Sequence, residues 1–228
     1  MKKSLLIVAT TLLFANSAMA QSAFEGFYAQ VGIGYENDSL ASRSFTTSGA
    51  TNGAPNGTVS GAISSGSGFS STLGLGYNFS VVPKWLVGIG IDYTPTTIST
   101  STQASYYGAI ASNNYKVSNR YNIFLAPGYE IDKDKLIYLK AGYSTESVAW
   151  QAQAGPPGAV NSSSNQSGFV AGLGYRQLLD KNLYVFGEGN YYSYSSYTAG
   201  SINPTSGSFT PTQTPTAYQF LIGVGYKF

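Results

Sequence analysis

The amino-acid sequence predicts an all-β fold: an eight-stranded antiparallel up-and-down transmembrane β-barrel with short periplasmic turns and long extracellular loops. Three observations predict it. The chain begins with an export signal, eight later segments alternate strictly between apolar and small or polar residues, and the connections between these segments are alternately long and short. Together they describe a chain that leaves the cytoplasm and closes its strands on one another within a bilayer.

The first observation is the N-terminal segment, which has the three parts of a cleavable signal peptide. Lys2 and Lys3 form a positive region, residues 5–15 form an apolar stretch, and Ala-Met-Ala at positions 18–20 supplies a cleavage site. The apolar stretch is shorter than the roughly 20 residues that a transmembrane helix needs. We therefore expect a signal peptide over residues 1–20, which is cleaved, and a transmembrane β-barrel domain over residues 21–228.

The second observation is strict alternation. In residues 27–36 one face carries Phe, Ala, Val, Ile and Tyr, and the other carries Tyr, Gln, Gly, Gly and Glu. A period of two with one apolar face is typical of a half-buried strand. The pattern occurs eight times, over residues 27–36, 68–79, 85–94, 120–130, 137–144, 169–176, 183–192 and 218–228.

A glycine–tyrosine signature accompanies these segments, as in VGIGYE, LGLGYN, AGLGYR and IGVGYK. The tyrosine lies on the apolar face near one end of the segment, where an aromatic girdle at a membrane interface would place it. Most of the glycines lie on the opposite face, where a narrow barrel interior leaves little room. No helical pattern follows any of these motifs, so they do not indicate a nucleotide-binding loop.

The third observation is the spacing of the segments. Short connections at residues 80–84, 131–135 and 179–182 separate four long ones rich in Ser, Thr, Asn, Gly and Pro, at 37–67, 95–114, 151–166 and 198–217. Outer-membrane barrels have short periplasmic turns and longer external loops, so both termini are expected on the periplasmic side. Residues 58–63 are expected to extend a hairpin outside the membrane and not to add two further spans.

The composition excludes several classes of function. Charged residues make up 10% of the chain, against about 25% in soluble proteins, and aromatic residues make up 14%. Of the twelve basic residues, Lys2 and Lys3 belong to the signal peptide, so ten basic and ten acidic residues remain. This balance gives no electrostatic basis for binding nucleic acid. The chain contains neither cysteine nor histidine, so it has no thiolate metal site and no disulfide.

Several sequences resemble the small outer-membrane β-barrel superfamily, which includes opacity-like porins and the OmpA and OmpX barrels. They are the opening FEGFYAQVGIGY, strands such as AGLGYR, and the final Tyr226-Lys227-Phe228. The resemblance implies the outer membrane of a Gram-negative bacterium, with its lipid and lipopolysaccharide as surroundings. It also implies that Tyr226 and Phe228 act as the signal read by the barrel-assembly machinery, with periplasmic chaperones as further partners. The neutral, polar loops are either an adhesive or antigenic surface for host or surface ligands, or simple hydrophilic connections between strands.

The inward face carries nine charged residues. A charge that faces lipid is expensive, so their phase predicts a polar lumen. The lumen of an eight-stranded barrel is about wide enough for its own side chains, and six inward aromatic residues fill it further: Tyr28, Phe124, Tyr138, Tyr184, Phe186 and Tyr192. The charged set is therefore either a structural network of salt bridges or the lining of a pore: Glu36, Asp92, Arg120, Glu130, Lys140, Glu146, Arg176, Glu188 and Lys227.

No pattern in the sequence indicates catalysis, a cofactor or a metal ion. The inward carboxylates of Asp92, Glu130, Glu146 and Glu188 are not accompanied by a nucleophile or by a histidine that could act as its base. The chain has no D-x-D-x-D-G calcium-binding spacing. We therefore expect a protein that is not an enzyme and that binds no cofactor, and we interpret residues 132–135 and 180–182 as solvated turns.

Three hypotheses for function remain. The first is a structural or surface-interaction barrel that supports the envelope and displays its loops for adhesion, since the loops are nearly uncharged outside Asp38 and Arg43 and carry Tyr106 and Tyr107 at one tip. The second is a small porin that passes ions or small solutes through the polar lumen. The third is a barrel that binds an apolar small molecule through a lateral opening, which no feature of the sequence favours.

Overall fold

The computed structural model describes residues 22–48, 57–61, 64–106, 109–152, 162–198 and 208–228. The predicted signal peptide, Tyr107 and most of the proline-containing loop tips lie outside these ranges. Within them no helix is long and apolar enough to cross a membrane. The described residues form eleven strands: β1 (Gly26–Ser48), β2 (Gly57–Gly61), β3 (Ser64–Val82), β4 (Trp85–Thr94), β5 (Ile98–Tyr106), β6 (Ala109–Asp132), β7 (Lys135–Ala152), β8 (Ser162–Leu178), β9 (Leu183–Tyr194), β10 (Tyr197–Thr198) and β11 (Ser208–Lys227).

Eight of these strands form a closed ring. Antiparallel neighbours follow the order β1, β3, β4, β6, β7, β8, β9 and β11, and β11 pairs with β1 from Tyr28↔Lys227 to Ser48↔Ser208. Closure leaves no open edge in the part of the sheet that lipid surrounds, where unpaired peptide groups could not bond to water. The prediction of an eight-stranded antiparallel barrel is confirmed, and the eight predicted segments lie in these eight strands, except that Phe228 follows the end of β11.

The outward face is apolar, because the alternation along each strand sends its aliphatic and aromatic side chains to the outside. Ile222 is 67% exposed and Leu125 is 54% exposed, which is the reverse of a soluble core and suits contact with lipid. Aromatic side chains form two girdles that bound this apolar band. The extracellular girdle contains Tyr35, Phe69, Tyr93, Tyr121, Tyr143, Phe169, Tyr191 and Tyr218, and the periplasmic girdle contains Phe27, Tyr77, Phe79, Trp85, Tyr129, Tyr175, Tyr226 and Phe228.

The periplasmic connections are as short as predicted. β3 and β4 are joined by residues 83–84, β6 and β7 by 133–134, and β8 and β9 by 179–182. Lys84 adopts a positive φ of 70° in the first of these turns, and its carbonyl oxygen accepts a 2.8 Å hydrogen bond from the amide of Glu130. That bond joins this turn to strand β6, which belongs to the next hairpin.

The extent predicted for the extracellular loops was wrong. β1 has 23 residues and β6 has 24, whereas a tilted strand needs about 10 to cross a bilayer, so strands continue through much of the segments assigned to loops. β5 pairs with the upper half of β6, ending at Tyr106↔Ala109. β2 pairs only with β1, so the prediction that this segment adds no further span is confirmed.

Pro211 and Pro215 lie inside β11, within the segment that was predicted as a loop over residues 198–217. They stand opposite Phe45 and Leu40 of β1, above the point where the ladder between β11 and β9 ends at Thr216↔Ser193. At this height β10 pairs with the other edge of β11 at Gln213 and Thr212. Among the described residues neither proline has a partner on that edge, and such a position tolerates the missing N–H of proline.

Candidate functional site: the polar lumen

The lumen is filled by interlocking side chains over its described height. Large side chains lie against glycine backbones of neighbouring strands: a methyl group on Gly174 would lie 2.1 Å from Cζ of Tyr138, and one on Gly225 would lie 2.1 Å from Cζ of Tyr184. The inward glycines of the glycine–tyrosine motifs thus make room for inward aromatic rings, which are buried. Four groups of residues occupy the lumen from the extracellular to the periplasmic side.

The upper layer consists of Arg120, Glu36, Asp38 and Glu146. The Arg120 guanidinium lies 2.6 Å from Glu36 Oε1, 3.1 Å from Asp38 Oδ1 and 2.7 Å from Glu146 Oε2, and it lies over the ring of Tyr192 at 4.2 Å. Arg120 is 1% exposed. One cation therefore holds side chains from β1, β6 and β7 together across the lumen.

The hydrogen bonds of the upper layer are unevenly shared. Glu36 Oε2 also accepts hydrogen bonds from Ser70 Oγ at 2.9 Å and from Gln219 Nε2 at 2.7 Å. By contrast, Asp38 Oδ2 is buried without a hydrogen-bond partner. With one guanidinium and three carboxylates, the layer has more acidic than basic groups, so its carboxylates repel one another within a low-dielectric space.

The middle layer consists of Lys140, Asp92 and Glu188. Lys140 Nζ donates hydrogen bonds to Asp92 Oδ2 and, at 2.9 Å, to Glu188 Oε1, and it lies 4.3 Å from the centre of the Phe124 ring. Tyr138 Oη donates a 2.6 Å hydrogen bond to Glu188 Oε2. The second oxygen of Asp92 has no hydrogen-bond partner.

The arginine–tyrosine layer consists of Arg176, Tyr28, Tyr138 and Tyr184. Cζ of Arg176 lies 4.2, 4.8 and 5.2 Å from the ring centres of Tyr28, Tyr138 and Tyr184, and Arg176 Nη2 donates a 3.2 Å hydrogen bond to Gln30 Oε1. Among the described residues no carboxylate forms an ion pair with Arg176. This buried cation is held by ring faces and one amide oxygen.

The periplasmic mouth is apolar. Phe24, which precedes β1, is buried in a cluster with Leu86, Phe124, Ala126, Leu136 and Tyr138. Two of the predicted lumen charges, Glu130 and Lys227, lie at this end and are only half-buried. Glu130 accepts a hydrogen bond from Ser22 Oγ. The other seven predicted charges are buried in the three layers above.

Two corrections concern the predicted charges. Asp38 was assigned to an exposed loop, but β1 continues past the extracellular girdle and carries Asp38 into the upper layer. Neutral partners were missed as well, namely Gln30, Ser70, Asn190 and Gln219. They lie in the same inward phase as the charges, so extending the alternation to neutral polar residues would have found them.

A break in the alternation of β6 also shapes the upper layer. The register with β7 shifts between Ser118 and Tyr121, and Asn119 has a φ of 52°. This bulge allows Val117 and Arg120 both to face inward although they are three residues apart. Val117 pairs with Ile98 of β5 and Val148 of β7, and these three apolar side chains are buried on the extracellular side of Arg120.

The charges at the periplasmic turn between β6 and β7 are exposed, as predicted. Lys135 Nζ lies 3.4 Å from Asp132 Oδ2 and 3.2 Å from Asp134 Oδ1. A hydrogen bond from the Lys133 amide, followed by the Lys135 ammonium, lowers the pKa of Asp132. Hydrogen bonds from Lys135 and then Gln177 lower the pKa of Asp134.

The chemistry available to the lumen is that of ion pairs and hydrogen bonds. Within the described ranges no group of three or more His, Cys, Asp or Glu side chains is arranged to hold a metal ion. Of the carboxylates considered for acid–base roles, Glu146 contacts Arg120, Asp92 and Glu188 contact Lys140, and Glu130 accepts a hydrogen bond from the hydroxyl of Ser22. The arrangement cross-links strands from opposite sides of the barrel.

Comparisons with known proteins agree with this architecture. Residues 6–228 match the family described as "Outer membrane protein beta-barrel domain". The chain is 27% identical to Outer membrane protein P1 of Coxiella burnetii over 200 residues, which cover 84% of this chain and 75% of that protein.

Two solved structures of low identity share the fold. One is the outer membrane protein OprG of Pseudomonas aeruginosa, with 15% identity, 91% of this chain and 98% of that chain covered, and a TM-score of 0.55. The other is the outer membrane protease OmpT of Escherichia coli, with 10% identity, coverages of 92% and 99%, and a TM-score of 0.52.

Proposed function

Because this chain belongs to the outer membrane protein β-barrel domain family and lies in the outer membrane, we propose that its role is structural and surface-interactive. The barrel supports the envelope and displays its extracellular strands and loops to ligands outside the cell. It does not conduct ions steadily and it catalyses no reaction, in keeping with a sequence that contains no histidine.

The observation that carries this proposal is the filled lumen. The upper layer, the middle layer and the arginine–tyrosine layer each cross the interior with buried side chains, and apolar side chains are buried towards both ends. An ion that crossed the barrel would have to separate buried salt bridges at two heights. Separating a buried pair without replacing a partner costs about 3–5 kcal/mol.

The extracellular rim supports the surface role. β1 and β11 remain paired up to Ser48↔Ser208, and the β5–β6 hairpin reaches Tyr106↔Ala109, well beyond the girdle at Tyr35 and Tyr121. Hydrogen-bonded strands thus carry the loops away from the membrane, and such a rigid support favours recognition of a partner by the loops.

The conducting role is tested by single-channel recording of the refolded protein in a planar bilayer, with a large porin as a positive control for the assay. Folding is verified by the heat-dependent shift on a detergent gel. We expect a silent membrane. Stable openings that disappear when Arg120 and Glu188 are neutralised would replace this proposal with that of a small porin lined by the lumen charges.

The surface role is tested by adhesion of cells that carry either the whole protein or a variant in which residues 101–114 are replaced by a short turn, which keeps the buried Ile98 and Val117. The replacement lies outside the girdles, so the barrel should still show the gel shift. We expect adhesion to host or abiotic surfaces to decrease. Equal adhesion of both strains would remove the β5–β6 hairpin from the surface role.

Assembly partners are also part of the proposal. Tyr226 and Phe228 lie on the outward face with their rings 5.2 Å apart, accessible to the barrel-assembly machinery after periplasmic chaperones deliver the chain without residues 1–20. Deleting Phe228 should reduce the folded protein in the outer membrane. Phe228→Ala keeps the strand length and should reduce assembly as the deletion does, which separates the aromatic signal from strand length; normal assembly without Phe228 would contradict this role.

A further inference from the structure

The N-terminal segment leaves the barrel wall at Gly26. This residue has a φ of 123°, a conformation that side chains rarely adopt, and a methyl group on it would lie 3.3 Å from the carbonyl oxygen of Phe228. β1 begins at Gly26, and the residues before it do not continue the ladder downwards. The glycine therefore directs residues 22–25 away from the wall and across the periplasmic mouth.

The side chain of Phe24 lies in the periplasmic mouth and is as buried as a residue of a protein core. It is 2% exposed and is buried with Leu86, Phe124, Ala126 and Leu136, which come from β4, β6 and β7. Since β3 and β4 lie between β1 and β6 in the ring, a side chain that precedes β1 reaches the residues of β6 only by crossing the opening. Burial of a phenylalanine of this kind favours the closed position by the hydrophobic effect.

Polar contacts hold the same segment in place. Ser22 Oγ donates a hydrogen bond to Glu130 Oε1 and accepts one of 3.1 Å from the amide of Phe24. Asn78 Nδ2 donates a 2.9 Å hydrogen bond to the carbonyl oxygen of Phe24. These contacts involve side chains at the mouth and no strand ladder, so the segment can leave without unzipping the barrel.

We propose that residues 22–25 form a plug, hinged at Gly26, that closes the periplasmic mouth of the lumen to water and small solutes. The proposal rests on the closed lumen of the proposed function and identifies the element that closes its periplasmic end. The layers above remain in place when the plug leaves, so its release opens the lower lumen alone.

The absence of cysteine from the chain allows a direct test. Ala126→Cys places a single thiol in the apolar cluster under the plug, and a charged, water-soluble thiol reagent measures its accessibility in the refolded protein. The comparison is between this variant with an intact plug and the same variant with Ser22→Ala and Phe24→Ala. We expect labelling to be about tenfold faster or more without the plug side chains, because access then no longer requires a local opening.

Two further single cysteines serve as matched controls. Lys133→Cys, in the exposed periplasmic turn, should label equally fast with and without the plug side chains. Ser144→Cys, buried above the arginine–tyrosine layer, should stay protected in both. Labelling at position 144 after removal of the plug side chains would show that the whole lumen had loosened, and that result would contradict a plug that acts on the lower lumen alone.

Equal labelling of Ala126→Cys in both backgrounds would overturn the proposal. The result is separable from the channel recording. If the protein conducts but residues 22–25 still protect position 126, the proposed silent barrel is refuted and the plug is retained. If the protein is silent but position 126 is unprotected, the plug is refuted and the silent barrel is retained.

Discussion

The two buried arginines of the lumen have opposite surroundings. Arg120 contacts three carboxylates within 3.1 Å, whereas Arg176 contacts three tyrosine rings and one glutamine and forms no ion pair among the described residues. Both are at most 2% exposed, so each guanidinium has exchanged water for the interior of the barrel. Both guanidinium groups face tyrosine rings, since Cζ of Arg120 lies 4.2 Å from the ring centre of Tyr192, but of the two only Arg120 is also held by opposite charge.

This difference shows that buried carboxylates rely on Arg120 for charge compensation, whereas the partners of Arg176 are neutral. Removing Arg120 leaves Glu36, Asp38 and Glu146 as buried charges without a cation in contact, and each then costs free energy to keep ionised. Removing Arg176 leaves only neutral partners, which can repack or accept water. Equal burial therefore does not imply an equal contribution to stability, and substitutions at the two sites separate the cases.

The largest effect is expected for Arg120→Met, which keeps the length of the side chain and removes the charge. The free energy of unfolding should fall by more than about 4 kcal/mol, because three carboxylates lose their shared partner. Urea unfolding in lipid vesicles, followed by tryptophan fluorescence, measures the change. A triple variant that also carries Glu36→Gln and Glu146→Gln should recover part of the loss, and a loss of less than about 1 kcal/mol in Arg120→Met would contradict the account of the upper layer.

A smaller effect is expected for Arg176→Met. The variant loses one charge-assisted hydrogen bond to Gln30 and the contacts with three rings, together worth about 2 kcal/mol. The same unfolding measurement applies. If Arg176→Met lowers the free energy of unfolding as much as Arg120→Met does, ring faces must stabilise a buried guanidinium to the same extent as carboxylates. The distinction between the two sites would then fail.

The inward position of both arginines could be predicted from the sequence, but the identity of their partners could not. Alternation along one strand fixes the face on which a side chain lies. Arg120 and Glu36 are 84 positions apart, and Arg176 and Gln30 are 146 apart, so their contact depends on the stagger between strands that are not neighbours in the chain. That stagger is set by ladder register and bulges around the whole ring.

The ends of the strands were equally hard to predict. Segments such as residues 39–48 and 98–106 are rich in Ser and Thr and lack an apolar face, because above the girdle neither side of a strand meets lipid. The criterion that identified the spans therefore stops at the membrane surface although the ladder continues. Asp38 was misassigned for this reason, and the predicted set of inward charges lacked one of the three carboxylates that contact Arg120.

A pair of substitutions within the upper layer tests the surplus of carboxylates. Glu146 Oε2 accepts hydrogen bonds from both Nε and Nη2 of Arg120, whereas Asp38 accepts one and has an unpartnered oxygen. Glu146→Gln should therefore destabilise the barrel by about 1–2 kcal/mol. Asp38→Asn should change stability by less than about 0.5 kcal/mol or increase it, because it removes repulsion.

The unfolding midpoints of these two variants are compared with that of the whole protein in the same vesicles. Which of the two variants loses more stability matters more than the size of either loss, since both replacements are nearly isosteric and each removes one negative charge. A greater loss in Asp38→Asn than in Glu146→Gln would mean that the layer is not overcharged and that every carboxylate is equally needed.

The smallest effect is expected at the exposed ion pairs of the turn between β6 and β7. The pKa of Asp132 and that of Asp134 are lowered by hydrogen bonds from backbone and side-chain N–H groups, including the Lys135 ammonium. A lowered carboxyl pKa stabilises the fold above the pKa of the unfolded chain, near 4, and the contribution is lost as the pH falls through the folded value.

The contribution of these two carboxylates to the free energy of unfolding should therefore not change with pH between about pH 5 and 8. Asp132→Asn should lower the unfolding midpoint only slightly in that range, since water screens the pair and makes its contribution small. An NMR titration should find both carboxyl groups below their ordinary range, and a loss of stability at neutral pH comparable to that of Glu146→Gln would contradict the contrast between exposed and buried ion pairs in this barrel.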